Sequence, residues 1–223
     1  MSLFSIQTSS HFVDLGAVLL LLTCFAIVAQ RQLSVCVKLF ALQSVFLAMT
    51  AALVAFLTGI HHIYIAAVLT IIIKAIIIPR VLKRVIERSD VKHETDMYVN
   101  VPTAVLICGA LVILAVFVNQ PFLALGFLLT RDSLAIALAI ILIGFFIMIV
   151  RKRAVTQVIG FLVLENGLFL GATAAAYGMP LIVELGIFFD VLVGALVFGV
   201  YSNQLQDISE GEDTRELTTL EEK

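Results

Sequence analysis

The sequence predicts an all-α, polytopic membrane fold with about seven transmembrane helices, on three observations. Of its 223 residues, 61% are hydrophobic and only 13% charged, with a mean hydropathy of +1.13. The apolar residues gather into runs of about 20, the length that crosses roughly 30 Å of hydrocarbon as a helix. The basic residues fall almost wholly into alternate connections between those runs, as the positive-inside bias requires. A soluble domain averages about a quarter charged residues, and a globule of this size could not hide so much apolar surface. A water-soluble enzyme is therefore excluded. So is a nucleic-acid binder, because 14 Lys and Arg are outnumbered by 16 Asp and Glu, the reverse of the basic balance that a phosphate backbone calls for.

The spans follow in order. The first is Phe12–Ala29; no Lys or Arg precedes it, so it lacks the basic start of a signal peptide and is expected to be retained. Cys36–Leu57 is the second and Ile60–Ile78 the third, closed by Pro79 and the basic RVLKR. Glu87–Asp96 is too polar for lipid and reads as a surface loop. Pro102–Val118 is the fourth span, ended by the turn-like Asn119-Gln120-Pro121. Phe122–Leu129 is apolar but short. Ser133 is placed to cap the helix that follows, making Leu134–Val150 the fifth span. Val155–Tyr177 and Leu181–Tyr201 are the sixth and seventh.

Seven spans put Arg31, Lys38, Arg80, Lys83, Arg84, Arg88, Lys92, Arg151, Lys152, Arg153, Arg215 and Lys223 on one side and Arg131 alone on the other. The expected orientation is N-terminus outside and C-terminus cytoplasmic. The acidic stretch after Ser202 reads as a solvated tail or a docking segment for a cytoplasmic subunit. Cys24, Cys36 and Cys108 are far apart and lie in or beside apolar runs, as small buried hydrophobes would. Neither a metal site nor a cofactor is implied.

The first three spans resemble the last three. QRQLSVCVKLFALQSVFLAMTAALVAFLTG and VRKRAVTQVIGFLVLENGLFLGATAAAYG share a basic turn, an apolar run, a polar pair and an Ala-rich stretch closing on Gly. Gln43-Ser44 then aligns with Glu165-Asn166, and Lys74 falls beside Asp190. The expected organisation is a first three-helix repeat (1–86), a polar loop and linking helix (87–121), a second repeat (122–201) and the tail (202–223). An odd linker makes the copies parallel, unlike inverted-repeat transporters.

Away from the span ends, only Glu165, Glu184, Asp190 and Lys74 carry a charge within the spans. A lone charge at the bilayer centre costs from about 2.5 to over 10 kcal/mol, so such groups face protein or water and commonly move ions or protons. Glu165 lies about 15 Å into its span, near the midplane, with Asn166 next to it and Gly167-xxx-Gly171 just beyond for close helix approach. Gly186, Asp190 and Gly194 form one helical stripe, which turns Asp190 toward a helix interface. Glu184 is near the start of its span, within snorkelling reach of the interface. Lys74 shares a stripe with Ala67 and Thr70 and reads as lying toward the cytoplasmic half, either snorkelling past Pro79 or trading protons with a carboxylate. The four form a candidate proton relay, with Gln43 as non-titrating polar support; the alternative for all of them is hydrogen-bonded helix glue. His61 and His62 open the third span as interfacial residues or a proton entrance.

The segment LAIALAIILIGFFIMIVRKRAVTQVIGFLVLENGLFLGA with GIFFDVLVGALVFGVY resembles the K-type membrane subunit of respiratory complex I. IGFLVLENG is also similar to the C-type subunit of multisubunit sodium/proton antiporters. The whole chain, with KAIIIPRVL and LENG, looks most like the hydrogenase-4 component E family of membrane-bound [NiFe] hydrogenase complexes. The resemblance implies a non-catalytic subunit on a proton path, linking antiporter-like membrane subunits to the redox arm of the complex. It matches family carboxylates to Glu165 and Asp190, although Asp190 stands where the family usually has Glu. The alternatives are a C-type antiporter subunit, against which the seven-span length speaks, and a purely structural scaffold.

Overall fold

The computed structural model describes residues 3–59, 61–88, 97–123 and 131–176, and within them the chain is an all-α polytopic membrane protein. Its elements are α1 (Leu3–Ala29), α2 (Leu33–Thr58), α3 (His61–Thr70), a π-helical segment π1 (Ile71–Ile77), α4 (Ile78–Arg88), α5 (Val101–Leu123), α6 (Arg131–Val150) and α7 (Ala154–Ala176). Among the described residues six crossings are long and apolar enough to span a bilayer. One of them, Ile63–Arg84, is assembled from α3, π1 and α4. The seventh span read from sequence and the acidic tail lie outside the described residues.

In lipid every backbone N–H and C=O must be satisfied within the protein, which is why these apolar runs become helices. Their hydroxyls obey the same constraint. Thr23, Ser44, Thr50 and Thr173 each donate to a carbonyl three or four residues earlier in their own helix. α2 ends on Gly59, whose φ of 72° is left-handed and whose N–H bonds Ala55 O at 2.9 Å. Glycine adopts that conformation without a Cβ clash.

The third crossing does not close at Pro79. The helix runs on through it to Arg88, because the wider π turn precedes it. A proline inside an α-helix lacks an N–H and presses on the carbonyl four residues back. π1 replaces that i→i−4 pattern with longer bonds, such as Ile78 N–H to Ile73 O. Two consequences correct the sequence reading: Lys74 sits at the middle of the crossing, and Glu87 and Arg88 belong to α4. α5 likewise continues through Asn119–Pro121 to Leu123, and Asn119 is buried. A proline this close to a helix end costs one bond and does not break the element.

α6 and α7 form the most intimate pair. A Cβ on Gly144 would lie 2.6 Å from the backbone N of Leu164, and one on Gly167 would lie 2.9 Å from that of Ile141. The two backbones thus approach where glycine removes the side chain. Gly171 faces only the Ala137 Cβ, at 3.3 Å. Around this hairpin α1, α2 and α5 complete the core, with Leu20, Phe40, Leu47, Ile140, Ile143 and Leu162 fully buried.

Both ends of the bundle are tied by polar contacts. Arg151 is not a solvated loop cation, as the charge pattern suggested. It is 2% exposed, and its Nη2 donates to the carbonyls of Ile27, Val28 and Gln30 at 3.3, 3.2 and 2.7 Å. α1 carries no basic residue in its last turn, so the guanidinium from the α6–α7 turn serves its open carbonyls. Beside it, Met97 bridges Arg151, and the Lys152 ammonium stands 4.7 Å from the Tyr98 ring centroid. At the other end Ser133 lies inside α6 and does not cap it. Its hydroxyl donates to Asp14 Oδ1 at 2.7 Å, joining α6 to α1.

Candidate functional site

Three crossings carry polar residues at their centres, and the fold brings these together. Gln43 is the eleventh residue of the 25-residue crossing Leu33–Leu57 and Lys74 the twelfth of the 22-residue Ile63–Arg84. Glu165 is the eleventh of the 20-residue Val155–Ala174. Helices packed side by side with such centres align these groups at one depth.

The centre is an ion pair: Lys74 Nζ lies 3.0 Å from Glu165 Oε1. Lys74 is 1% exposed and Glu165 3%, so the lysine does not snorkel to the membrane surface. Its ammonium also donates to Asn166 Oδ1 at 3.3 Å. Asn166 Nδ2 donates to Gln43 Oε1 at 3.2 Å, and Gln43 Nε2 donates to Leu20 O at 3.2 Å and to Cys24 Sγ at 2.8 Å. A continuous polar chain therefore runs Glu165–Lys74–Asn166–Gln43 to α1. Asn166 and Gln43 are 0% exposed, and each uses both ends of its amide, as burial demands.

Chemically the chain has two parts. Lys74 and Glu165 can exchange a proton: one hop turns the ammonium–carboxylate pair into a neutral amine and carboxylic acid. Asn166 and Gln43 do not titrate, so they orient the pair and anchor it to α1. The charge balance explains how both ions tolerate the membrane interior, where each alone would be costly.

Sequence reasoning named Gln43, Lys74, Glu165 and Asn166 one by one, and the structure places all four in a single network. It had set Gln43 opposite Glu165 and Lys74 opposite Asp190 as repeat equivalents, but contacts run between the halves, Lys74 to Glu165 and Gln43 to Asn166. Ser44, the companion of Gln43, bonds Phe40 O of its own helix and stays out of the network. Glu184, Asp190, Gly186 and Gly194 lie outside the described residues, as do the side chains of His61 and His62. Cys24 was read as a plain hydrophobe; it is buried and free, and it accepts from Gln43. Arg151 was missed as a buried group. Its signal was a helix end without a cap of its own, followed far along the chain by a basic turn.

Six apolar crossings around a mid-membrane ion pair define a polytopic all-α membrane protein with an internal polar centre. The chain belongs to the family of the uncharacterized protein Rv0085 of Mycobacterium tuberculosis, with 32% identity over 212 residues that cover 95% of this chain and 96% of that protein. It is also distantly homologous to hydrogenase-4 component E of Escherichia coli and of Shigella flexneri. Each is 23% identical over 217 residues, covering 96% of this chain and 99% of the relative. No family model matches the chain, and no solved structure does.

Proposed function

We propose that the chain is a non-catalytic membrane subunit of a hydrogenase-4-like respiratory complex and that the Lys74–Glu165 pair is a proton-exchange station within it. Near full-length homology to hydrogenase-4 component E supports membership of such a complex. The single observation that carries the proton role is the 3.0 Å contact between two titratable groups buried at mid-span. Proton-active groups at that depth are expensive to keep, and membrane proteins place them on proton and ion paths.

In this reading a proton reaching Glu165 is passed to or taken from Lys74, while Asn166 and Gln43 hold the lysine in place. The amides end the titratable chain on the α1 side, so protons enter and leave on the other side. As further proton-active groups the sequence offers Asp190 and Glu184, with Gly186 and Gly194 as their packing stripe, while Gly167 and Gly171 let α7 close on α6. The same reading keeps the division into a first three-helix unit, a linking helix and a second K-type-like unit. It orients the basic end toward the cytoplasm of a bacterial or archaeal plasma membrane. The partners are antiporter-like membrane subunits and the membrane subunits that carry the hydrogenase arm, where all redox chemistry resides.

Glu165→Gln tests the station. It retains size and hydrogen bonding but cannot hold or release a proton. Assembly and redox activity of the complex should persist while proton translocation falls at least tenfold. Unchanged translocation would remove the role. Affinity purification of the tagged chain separates the complexes: hydrogenase subunits among its companions support this reading, and antiporter subunits alone favour a C-type antiporter component.

A further inference from the structure

A cleft of about 290 Å³ opens between α2 and the π1–α4 stretch. Its membrane-buried part is lined by small residues, Ala41 on α2 and Ala75 on π1, with Ile76 and Val37 adding apolar wall. Toward the membrane surface the lining changes to Lys38, Arg80 and Lys83. Ala75 follows the mid-span Lys74 directly, and Lys83 lies eight residues further, about 12 Å along the helix. The cleft thus runs from near the bilayer centre to its edge, most of the depth of one leaflet.

Two properties select an occupant. The rim holds three cations, all exposed. Lys83 has Glu87 at 3.7 Å, on the solvated face of α4, whereas among the described residues no carboxylate pairs with Lys38 or Arg80. The interior below the rim offers no charge and is walled by Ala41, Ala75, Val37 and Ile76. A ligand that fits both parts has an anionic head and an apolar chain. Basic pockets between helices at a membrane surface suit phosphate headgroups, and a guanidinium matches phosphate oxygens in bidentate fashion.

We propose that this cleft is a binding site for an anionic phospholipid. Its phosphate sits among Lys38, Arg80 and Lys83, and one acyl chain lies along Ala41, Ala75 and Ile76. Arg80 and Lys83 are presented there by α4, the continuation of the helix past Pro79.

Native mass spectrometry of the full chain in mild detergent, titrated with phosphatidylglycerol or phosphatidylcholine of identical chains, tests this. Phosphatidylglycerol should bind at least tenfold more tightly. The variant K38Q/R80Q/K83Q changes only exposed side chains and should abolish that preference. Ala41→Leu keeps every charge, narrows the cleft and should weaken phosphatidylglycerol binding at least fivefold. Equal binding of both lipids, or selectivity that survives K38Q/R80Q/K83Q, overturns the proposal. Millimolar inorganic phosphate that displaces the lipid, together with full binding in Ala41→Leu, would show a simple phosphate site and overturn the lipid assignment.

Discussion

Among the described residues two cations are buried, and they are held in opposite ways. Arg151 sits at one end of the bundle against three carbonyls of α1, while Lys74 sits at mid-span against a carboxylate. A guanidinium cannot be deprotonated in a protein, so Arg151 is a permanent charge, and partial charges at a helix end suffice to receive it. A lysine can give up its proton, and its partner Glu165 can accept it. The end of the bundle therefore carries a fixed clamp and, in the function proposed above, its centre an exchangeable pair. Burial and charge are similar; chemistry differs because the partner differs.

The sharpest way to break the comparison is to remove one member of the central pair. Glu165→Leu should cost roughly 3–5 kcal/mol, because it strands an ammonium in an apolar interior. SDS-titrated unfolding in mild detergent would read this as a large shift in midpoint. The double variant K74M/E165L should recover most of that loss, since an ion pair replaced by apolar groups of similar volume is often neutral in stability, yet proton translocation should stay abolished. Recovery of translocation would make the pair structural only.

Arg151→Ala is next, at roughly 2–3 kcal/mol for uncovered carbonyls. It should lower thermal stability without altering translocation per assembled complex. A specific loss of translocation in the surviving protein would erase the distinction between clamp and station. Gly144→Ala should cost about 1–3 kcal/mol through overpacking against the Leu164 backbone, whereas Gly171→Ala, facing only Ala137, should fall within about 0.5 kcal/mol of the parent. Thermal melts of the two would show whether the α6–α7 hairpin closes where the distances indicate. Gln43→Leu should cost about 0.6 kcal/mol, the average for a polar contact between membrane helices. Its translocation should decline only partially, because Asn166 still receives the Lys74 ammonium.

Much of this was legible from apolar run length alone. Every crossing that the structure describes was found, because a 20-residue apolar stretch has no other use in a chain this hydrophobic. The errors came from punctuation. Pro79 and Asn119-Gln120-Pro121 look like helix ends in a soluble protein, but inside a membrane the alternative to a helix is unsatisfied backbone, so the helices persist and adapt. Ser133 looked like a cap because Asp14, its actual partner, is 119 residues away. The four residues of the central network were each recognisable as polar groups in apolar surroundings. Their pairing was not, because it depends on which faces α2, π1 and α7 present to one another. Repeat alignment pointed to equivalent positions; packing joined non-equivalent ones.

The π segment Ile71–Ile77 also couples the two ends of its crossing. A π turn amounts to one surplus residue in a helix, and each residue turns the axis by roughly 100°. Relatives that lack the surplus should align with a single-residue gap here and nowhere else in the crossing. In them the lysine would keep its height, but Arg80 and Lys83 would point to another side. Insertion or loss of one codon at this place would therefore turn the basic rim relative to the buried ion pair, so that either could change while the other stayed fixed.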